Sequence, residues 1–294
     1  MKVGTIDEPR EKRSLGAFAA AMLTRGTTRR GADQLAATID GVGGRLQSDA
    51  ALESTTVGCE VMAKHLQTCL SLLPEVVTSP RFAESEMAEV RSQLEAAVRQ
   101  VRDDPMALAA EHLDNALWGD GHVRGWPVTS QTIAAVRPRD LSDWHKAWFR
   151  PGNAVLAVSG DFDARVMRGR VSAAFGRWAK GTVPAHKSYP EPRLAGVRVR
   201  LVDKPDQTQS QILVGHLGVS VADPDWLATE VVSYTLGEGA FSSRLMKVVR
   251  SQGGKTYQAD SRFEVSRARG DFRASTFTRN AETFATLRLS LIHI

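Results

Sequence analysis

Cysteine is nearly absent. Only Cys59 and Cys69 occur in 294 residues, with no second pair and no histidine at zinc-finger spacing, so the sequence indicates neither a disulfide framework nor a structural zinc site. Long apolar runs are missing too. Nothing approaches the roughly 20 residues of a membrane-spanning helix, and residues 1–13 are charged where a secretory leader needs an apolar centre. Aromatics make up 6% of the chain and do not interleave with Lys/Arg runs, so the net charge of +5 reads as scattered surface arginine and argues against a nucleic-acid groove. The redox compartment stays open. The reading is a soluble chain, in the cytoplasm or the periplasm if bacterial.

What is present is patterned. "MKVGTIDEP" reads as a short strand closed by a turn, and 15–24 as a helix of small residues. A second helix fits 31–41 and stops at Gly41 and the Gly43-Gly44 pair, after which "RLQSDAALESTTVGCEVM" alternates as a strand pair would. Apolar spacing predicts helices over 63–73 and 80–104, the latter ending at "DDP". "QTIAAVRPRDLSDWHKAWF" holds two short helices, "NAVLAVSGDF" a strand, and 164–178 a further helix. Pro184, Pro190 and Pro192 mark a linker over 182–196.

Beyond the linker the pattern starts again. "VRVRLVDKP" echoes "MKVGTIDEP", and "VVRSQGGKTYQADSRFEV" echoes "TIDGVGGRLQSDAALEST" as helix, Gly-Gly stop and strand. The expected architecture is α+β: two similar domains, 1–181 and 197–294, each an antiparallel-rich sheet with helices on one face. The second is half the length of the first and its ending "LSLIHI" is abrupt, so both ends are expected to lack elements. Exposed sheet edges and apolar helix faces, and hence poor solubility, should follow.

In this order, "VGTIDEPREKRSLGAFAAAMLTRGT", "FRPGNAVLAVSGDFD", "VDKPDQTQSQILVGHLGVSVADPDW" and "LGEGAFSSRLMKVVRSQGGKTYQADS" resemble the insulinase/pitrilysin-type zinc metallopeptidases, the inverted zincins, and most closely their bacterial processing-peptidase-like branch. In active members the helix before the Gly-Thr turn carries His-x-x-Glu-His, two zinc-binding histidines on one face and a Glu that activates water. Those positions fall here on Ala17, Ala20 and Ala21. The third ligand of the family, a Glu on the helix before the Asp-Asp-Pro turn, falls on Ala97, with Ala96 beside it. Alanine neither coordinates zinc nor accepts a proton. Glu111-His112 does not complete the motif elsewhere, since Leu108 occupies the first position, and His65, His122, His145, His186 and His216 are dispersed.

The resemblance carries over two other residues. Arg250 and Tyr257, seven positions apart across the Gly253-Gly254 stop, match the pair that holds substrate and supports the developing oxyanion in the family. The plainer reading makes Arg250 a helix C-terminal cation and Tyr257 a strand residue packing its ring. Some members of the family are heterodimers in which one subunit bears zinc and the other the Arg-Tyr pair. The resemblance therefore implies a non-catalytic subunit, inactive by itself and binding no zinc, that holds a peptide substrate for a zinc-bearing homologous partner. The alternatives are a scaffold or interaction protein of the same fold with no role in proteolysis, and an unrelated α+β binding module. "LGEGAFSSRL" lacks the Lys-Ser/Thr ending of a phosphate loop.

Overall fold

The structure is a computed structural model that describes residues 1–293. It contains ten α-helices and five strands among the described residues, with antiparallel pairing throughout its two sheets. By contacts the chain divides into two compact units, residues 1–98 with 128–188, and residues 99–127 with those from 189 onward. The segment 99–127, which precedes the proline-rich linker in sequence, thus packs with residues that follow it.

The first unit is built around helix α1 (Leu15–Leu23). Phe18, Met22 and Leu23 on α1 are fully buried, and α2 (Ala32–Asp40) adds Leu35 to the same core. Strands β1 (Arg45–Ala50) and β2 (Thr55–Glu60) pair antiparallel from Arg45 opposite Glu60 to Ala50 opposite Thr55. Alternate residues of β1 are shielded, as a strand with one covered face requires. Helix α3 (Leu66–Thr78) lies against β2, and α4 (Glu84–Asp103), α6 (Ser130–Ala135), α7 (Pro138–Trp148) and α8 (Ala164–Phe175) complete the helical set on this side. Trp144 and Trp148 of α7 do share a buried face, their rings 5.9 Å apart.

Cys59 on β2 and Cys69 on α3 form a disulfide, contrary to the expectation from their number. Strand and helix bring their Cα atoms to 5.6 Å, inside the range a bridge needs, which spacing in sequence does not reveal. A two-stranded sheet is marginal by itself. Here one bond anchors it covalently to α3.

The second unit holds the sheet β3–β5–β4, with β5 (Asp271–Arg279) central between β3 (Gln209–Leu217) and β4 (Ala259–Glu264). Register runs from Gln209 opposite Arg279 to Leu217 opposite Asp271, and from Ala259 opposite Thr276 to Glu264 opposite Asp271. Helix α5 (Pro105–Trp118) lies on β3, capped by Asp104, whose carboxylate accepts from the Met106 and Ala107 amides at 2.8 and 3.1 Å. The "DDP" turn is therefore a helix boundary. Helix α9 (Trp226–Ser233) runs into a π-helical turn (Tyr234–Glu238) that crosses β4. Gly237 permits that crossing, because a Cβ there would lie 2.0 Å from the Ser261 amide nitrogen. A wider π-helical segment (Met246–Gln252) and α10 (Thr283–His293) follow on either side of the sheet strands in sequence.

Three expected strands are not strands. Residues 1–9 form an extended lead and a 3-10 turn (Thr5–Asp7), tied down by Lys2 N–H to the Asn153 carbonyl at 2.9 Å and by the terminal ammonium to the Thr55 carbonyl at 2.7 Å. Residues 154–160 run without a ladder partner, and Val155, Leu156 and Val158 stand exposed. Residues 197–202 behave alike: Arg198 and Arg200 donate to Ala116 O and Asn115 Oδ1 of α5, while Val197, Val199 and Leu201 are exposed. Period-two patterning marks what can pair, but a strand needs a neighbour to supply the hydrogen bonds. The second echo has a structural counterpart: α2, Gly43-Gly44 and β1 in one unit, and the 246–252 segment, Gly253-Gly254 and β4 in the other.

Candidate functional site

Helix α1 begins on a buried carboxylate. Glu8 has no exposed surface; its Oε1 accepts from the Gly16 amide at 2.6 Å and its Oε2 from the Ser14 amide at 3.1 Å, with the Arg13 guanidinium at 2.7 Å. These are the orphan donors of a first helical turn, satisfied by a group whose charge suits the positive end of the helix. Burial pushes the Glu8 carboxyl up, against the pull of Arg13 and the two amides. Gly16 allows the approach, since a Cβ there would stand 3.0 Å from Oε1.

Along α1, Ala17 and Ala21 share a face and are half-buried, whereas Ala20 points inward at 1% exposure. The Ser48 hydroxyl of β1 donates to the Ala20 carbonyl, which ties the hairpin to this turn of helix. α4 runs alongside: Arg91 lies over the Phe18 ring at 5.4 Å and donates to the Ile133 and Val136 carbonyls, and Arg25 reaches Gln93 at 3.2 Å. Ala97, one turn beyond Gln93, is exposed. None of the four alanines offers a donor atom, and no group of three His, Cys, Asp or Glu side chains among the described residues could hold a metal ion. The residues at these positions do not fit zinc.

Arg250 and Tyr257 flank the Gly-Gly stop. Arg250 sits in the 246–252 segment, which buries Met246 and Val249, and its guanidinium lies 4.6 Å over the exposed Phe241 ring. The stop is closed by the Gly254 amide on the Arg250 carbonyl at 2.9 Å, with Gly254 at φ 59°, a conformation that favours glycine. Tyr257 follows in the turn before β4. Thr256 Oγ1 accepts from the Gln258 amide and donates to its carbonyl, at 3.1 and 2.8 Å, and the tyrosine between them is 75% exposed. Tyr257 is thus neither a strand residue nor a packed ring. No hydrogen bond or ring contact joins Arg250 to Tyr257 among the described residues.

A buried charge cluster in the second unit escaped sequence reading. Asp271, fully buried at the start of β5, accepts from Arg273 Nε at 2.5 Å and from Trp118 Nε1 at 3.2 Å, with Arg124 at 3.6 Å. Asp114 of α5 faces Arg273 at 2.6 Å. Burial and the neighbouring Asp271 charge raise the Asp114 carboxyl to about 6 in spite of Arg273. His122 is driven the other way, to about 4, by burial and by Arg124, whose amide donates to its Nδ1 at 3.1 Å. Its ring is also 4.5 Å from that of Trp118. The sequence shows "WGDGHVRGW" as a loop and Asp271 150 residues away, so nothing local announces the pairing. The linker start is likewise fixed: His186 stacks on Trp148 and meets Asp7 at 3.1 Å, and Lys187 Nζ donates to the Glu8 carbonyl at 2.9 Å.

Comparison with known proteins finds matches over most of the chain. A family model described as insulinase (peptidase family M16) matches residues 1–125, and one described as peptidase M16 inactive domain matches residues 135–290. An uncharacterized zinc protease of Mycobacterium leprae is 29% identical over 269 residues, covering 90% of this chain and 59% of the relative. The uncharacterized zinc protease YmxG of Bacillus subtilis is 24% identical over 261 residues, covering 88% and 62%. The chain therefore spans less than two thirds of the length of these relatives. Among solved structures, a peptidase M16 inactive domain from Pseudomonas fluorescens matches with a TM-score of 0.89 at 24% identity, covering 98% of this chain and 70% of that one. A protease from Helicobacter pylori matches at 0.89 and 20% identity, covering 99% and 72%. The likeness to these two structures is one of fold.

Proposed function

This chain belongs to the insulinase family, peptidase family M16, and we propose that within it the chain is a non-catalytic, substrate-holding subunit. It presents Arg250 and Tyr257 to a peptide bound for cleavage by a zinc-bearing homologous partner. The observation that carries this reading is a pairing of opposites: alanine at all four positions of the family's zinc site, and an exposed phenol in the position of the family's substrate-binding tyrosine. A guanidinium and a phenol are hydrogen-bond donors suited to a peptide carbonyl, and most useful where that oxygen gains charge. Tyr257 needs no rearrangement to reach a ligand. Arg250 has to leave, or share, its seat on Phe241.

That seat is also what favours a second reading, a scaffold of the same fold with no role in proteolysis, in which Arg250 serves only its own unit. The test separates hydrolysis from binding. The purified chain should bind a fluorescent peptide and release no product, with or without added zinc, and binding should weaken in Tyr257→Ala. Chelator-sensitive hydrolysis by a pure sample would overturn the substrate-holding reading, and so would binding that is indifferent to both Arg250→Ala and Tyr257→Ala.

A further inference from the structure

Helix α9 carries an apolar face that its own unit does not cover. Leu227, Val231 and Tyr234 are 62%, 68% and 62% exposed, and their spacing of four and three places them on one side of the helix and its π-helical extension. The opposite side packs normally, with Ser233 and Leu236 buried. Three large apolar side chains in one contiguous stripe mark an interaction surface rather than scattered surface residues.

Charge says what chemistry covers it. Residues 218–243 contain Asp223, Asp225, Glu230 and Glu238 and no Lys, Arg or His, in a chain whose net charge is +5. The reverse segregation occurs in the other unit. Residues 164–187, which begin with α8, contain Arg165, Arg168, Arg170, Arg177, Lys180 and Lys187 and no carboxylate. α8 itself is mostly uncovered: of residues 164–170 only Met167 is buried, Val166 is 53% exposed, and Gly169 and Ala173 on the same side leave room for larger side chains.

We propose that the exposed face of α9 binds α8 of a second copy of this chain. Leu227, Val231 and Tyr234 then lie over Val166, Gly169 and Ala173, with Glu230 on one side facing Arg165 or Arg170. Complementary charge sets the pairing and register, and the apolar stripe supplies the burial. Exposed ion pairs are individually weak and screened by salt, so the association is modest and ionic-strength dependent. The interaction stands apart from the peptide-holding role, since neither helix contains Arg250 or Tyr257.

Sedimentation velocity on the whole chain tests it. At 50 mM NaCl the protein should self-associate with concentration, and 500 mM NaCl should weaken association roughly tenfold. Arg170→Glu on α8 and Glu230→Lys on α9 should each abolish association, and an equimolar mixture of the two variants should restore it. Leu227→Ser, at an exposed position, should weaken it without reversing any charge. Thermal melts of each variant confirm that the fold is kept. A protein that stays monomeric at low salt overturns the proposal, as does association that neither charge reversal changes.

Discussion

Helix α1 and the turn at 250–257 are the two places to which the resemblance assigns the working groups of an insulinase-family protein, and they differ in how the fold holds them. α1 is fixed at its start by Glu8, along its length by Ser48 on the Ala20 carbonyl, and on its inner side by Phe18 and Met22 in the core. The 250–257 turn is held by the Gly254 amide on the Arg250 carbonyl, by the Thr256 hydroxyl on Gln258 and by Lys255 on Glu282, and its tyrosine is left in solvent. At Ala20, where packing dictates the residue, the side chain is small and chemically silent. Where packing dictates nothing, a phenol stands exposed that contributes little to stability. Core demand accounts for the first and not for the second, which is why the proposed function rests on Tyr257.

The contrast can be broken most forcefully at Ala20. Ala20→Glu puts a carboxylate into a 1% exposed site without room or partner, and should cost about 3 kcal/mol or more in urea unfolding. A near-neutral result would mean that α1 is looser than its contacts indicate. Next comes the covalent tie. Reducing the Cys59–Cys69 bridge, or Cys59→Ser, should cost about 2–3 kcal/mol by freeing a loop of about ten residues in the unfolded chain. Mass spectrometry after alkylation without reductant should find neither thiol modified, and full alkylation would contradict the bridge.

The buried cluster sharpens the comparison from the other unit, because it is the fixed part of the body that presents Tyr257. Asp114 is raised from 3.8 to about 6 in the folded state, so its contribution to stability is full below 3.8 and is lost as pH rises through 6. His122 is lowered from 6.5 to about 4, so its contribution is full above 6.5 and is lost as pH falls through 4. The two slopes oppose each other over the same window. The two shifts are similar in size, so these two contributions should largely cancel between pH 4.5 and 6.5. Asp114→Asn uncovers the histidine slope, and the variant should lose stability on acidification. His122→Asn uncovers the aspartate slope and should gain it. Parallel pH profiles for both variants would contradict the opposing titrations. The smallest effect belongs to Tyr257→Ala, expected within about 0.5 kcal/mol of the parent; a larger loss would return the tyrosine to a structural role.

Local elements were legible and long-range ones were not. The helices at 15–23, 32–40 and 138–148 and the hairpin at 45–60 follow from capping residues, Gly stops and apolar period. The α3 helix runs past the expected end at 73 through Pro74, whose carbonyl accepts from the Thr78 hydroxyl at 2.8 Å. The alternating runs at 154–158 and 197–201 carry the right pattern, but no ladder partner stands beside them. The site was legible only by resemblance: nothing in the period of "GAFAAAM" distinguishes a vacated zinc helix from an Ala-rich core helix. Asp114, His122, Asp271 and the cysteine pair depend on contacts that sequence distance conceals.

The most direct measurement of the central claim is peptide hydrolysis by a mixture of this chain with a zinc-bearing homologous subunit. The account predicts cleavage in the mixture well above that of the zinc-bearing subunit alone, lost in both Arg250→Ala and Tyr257→Ala while the complex still forms. A rate that the chain does not raise, or one that survives both substitutions unchanged, would contradict it.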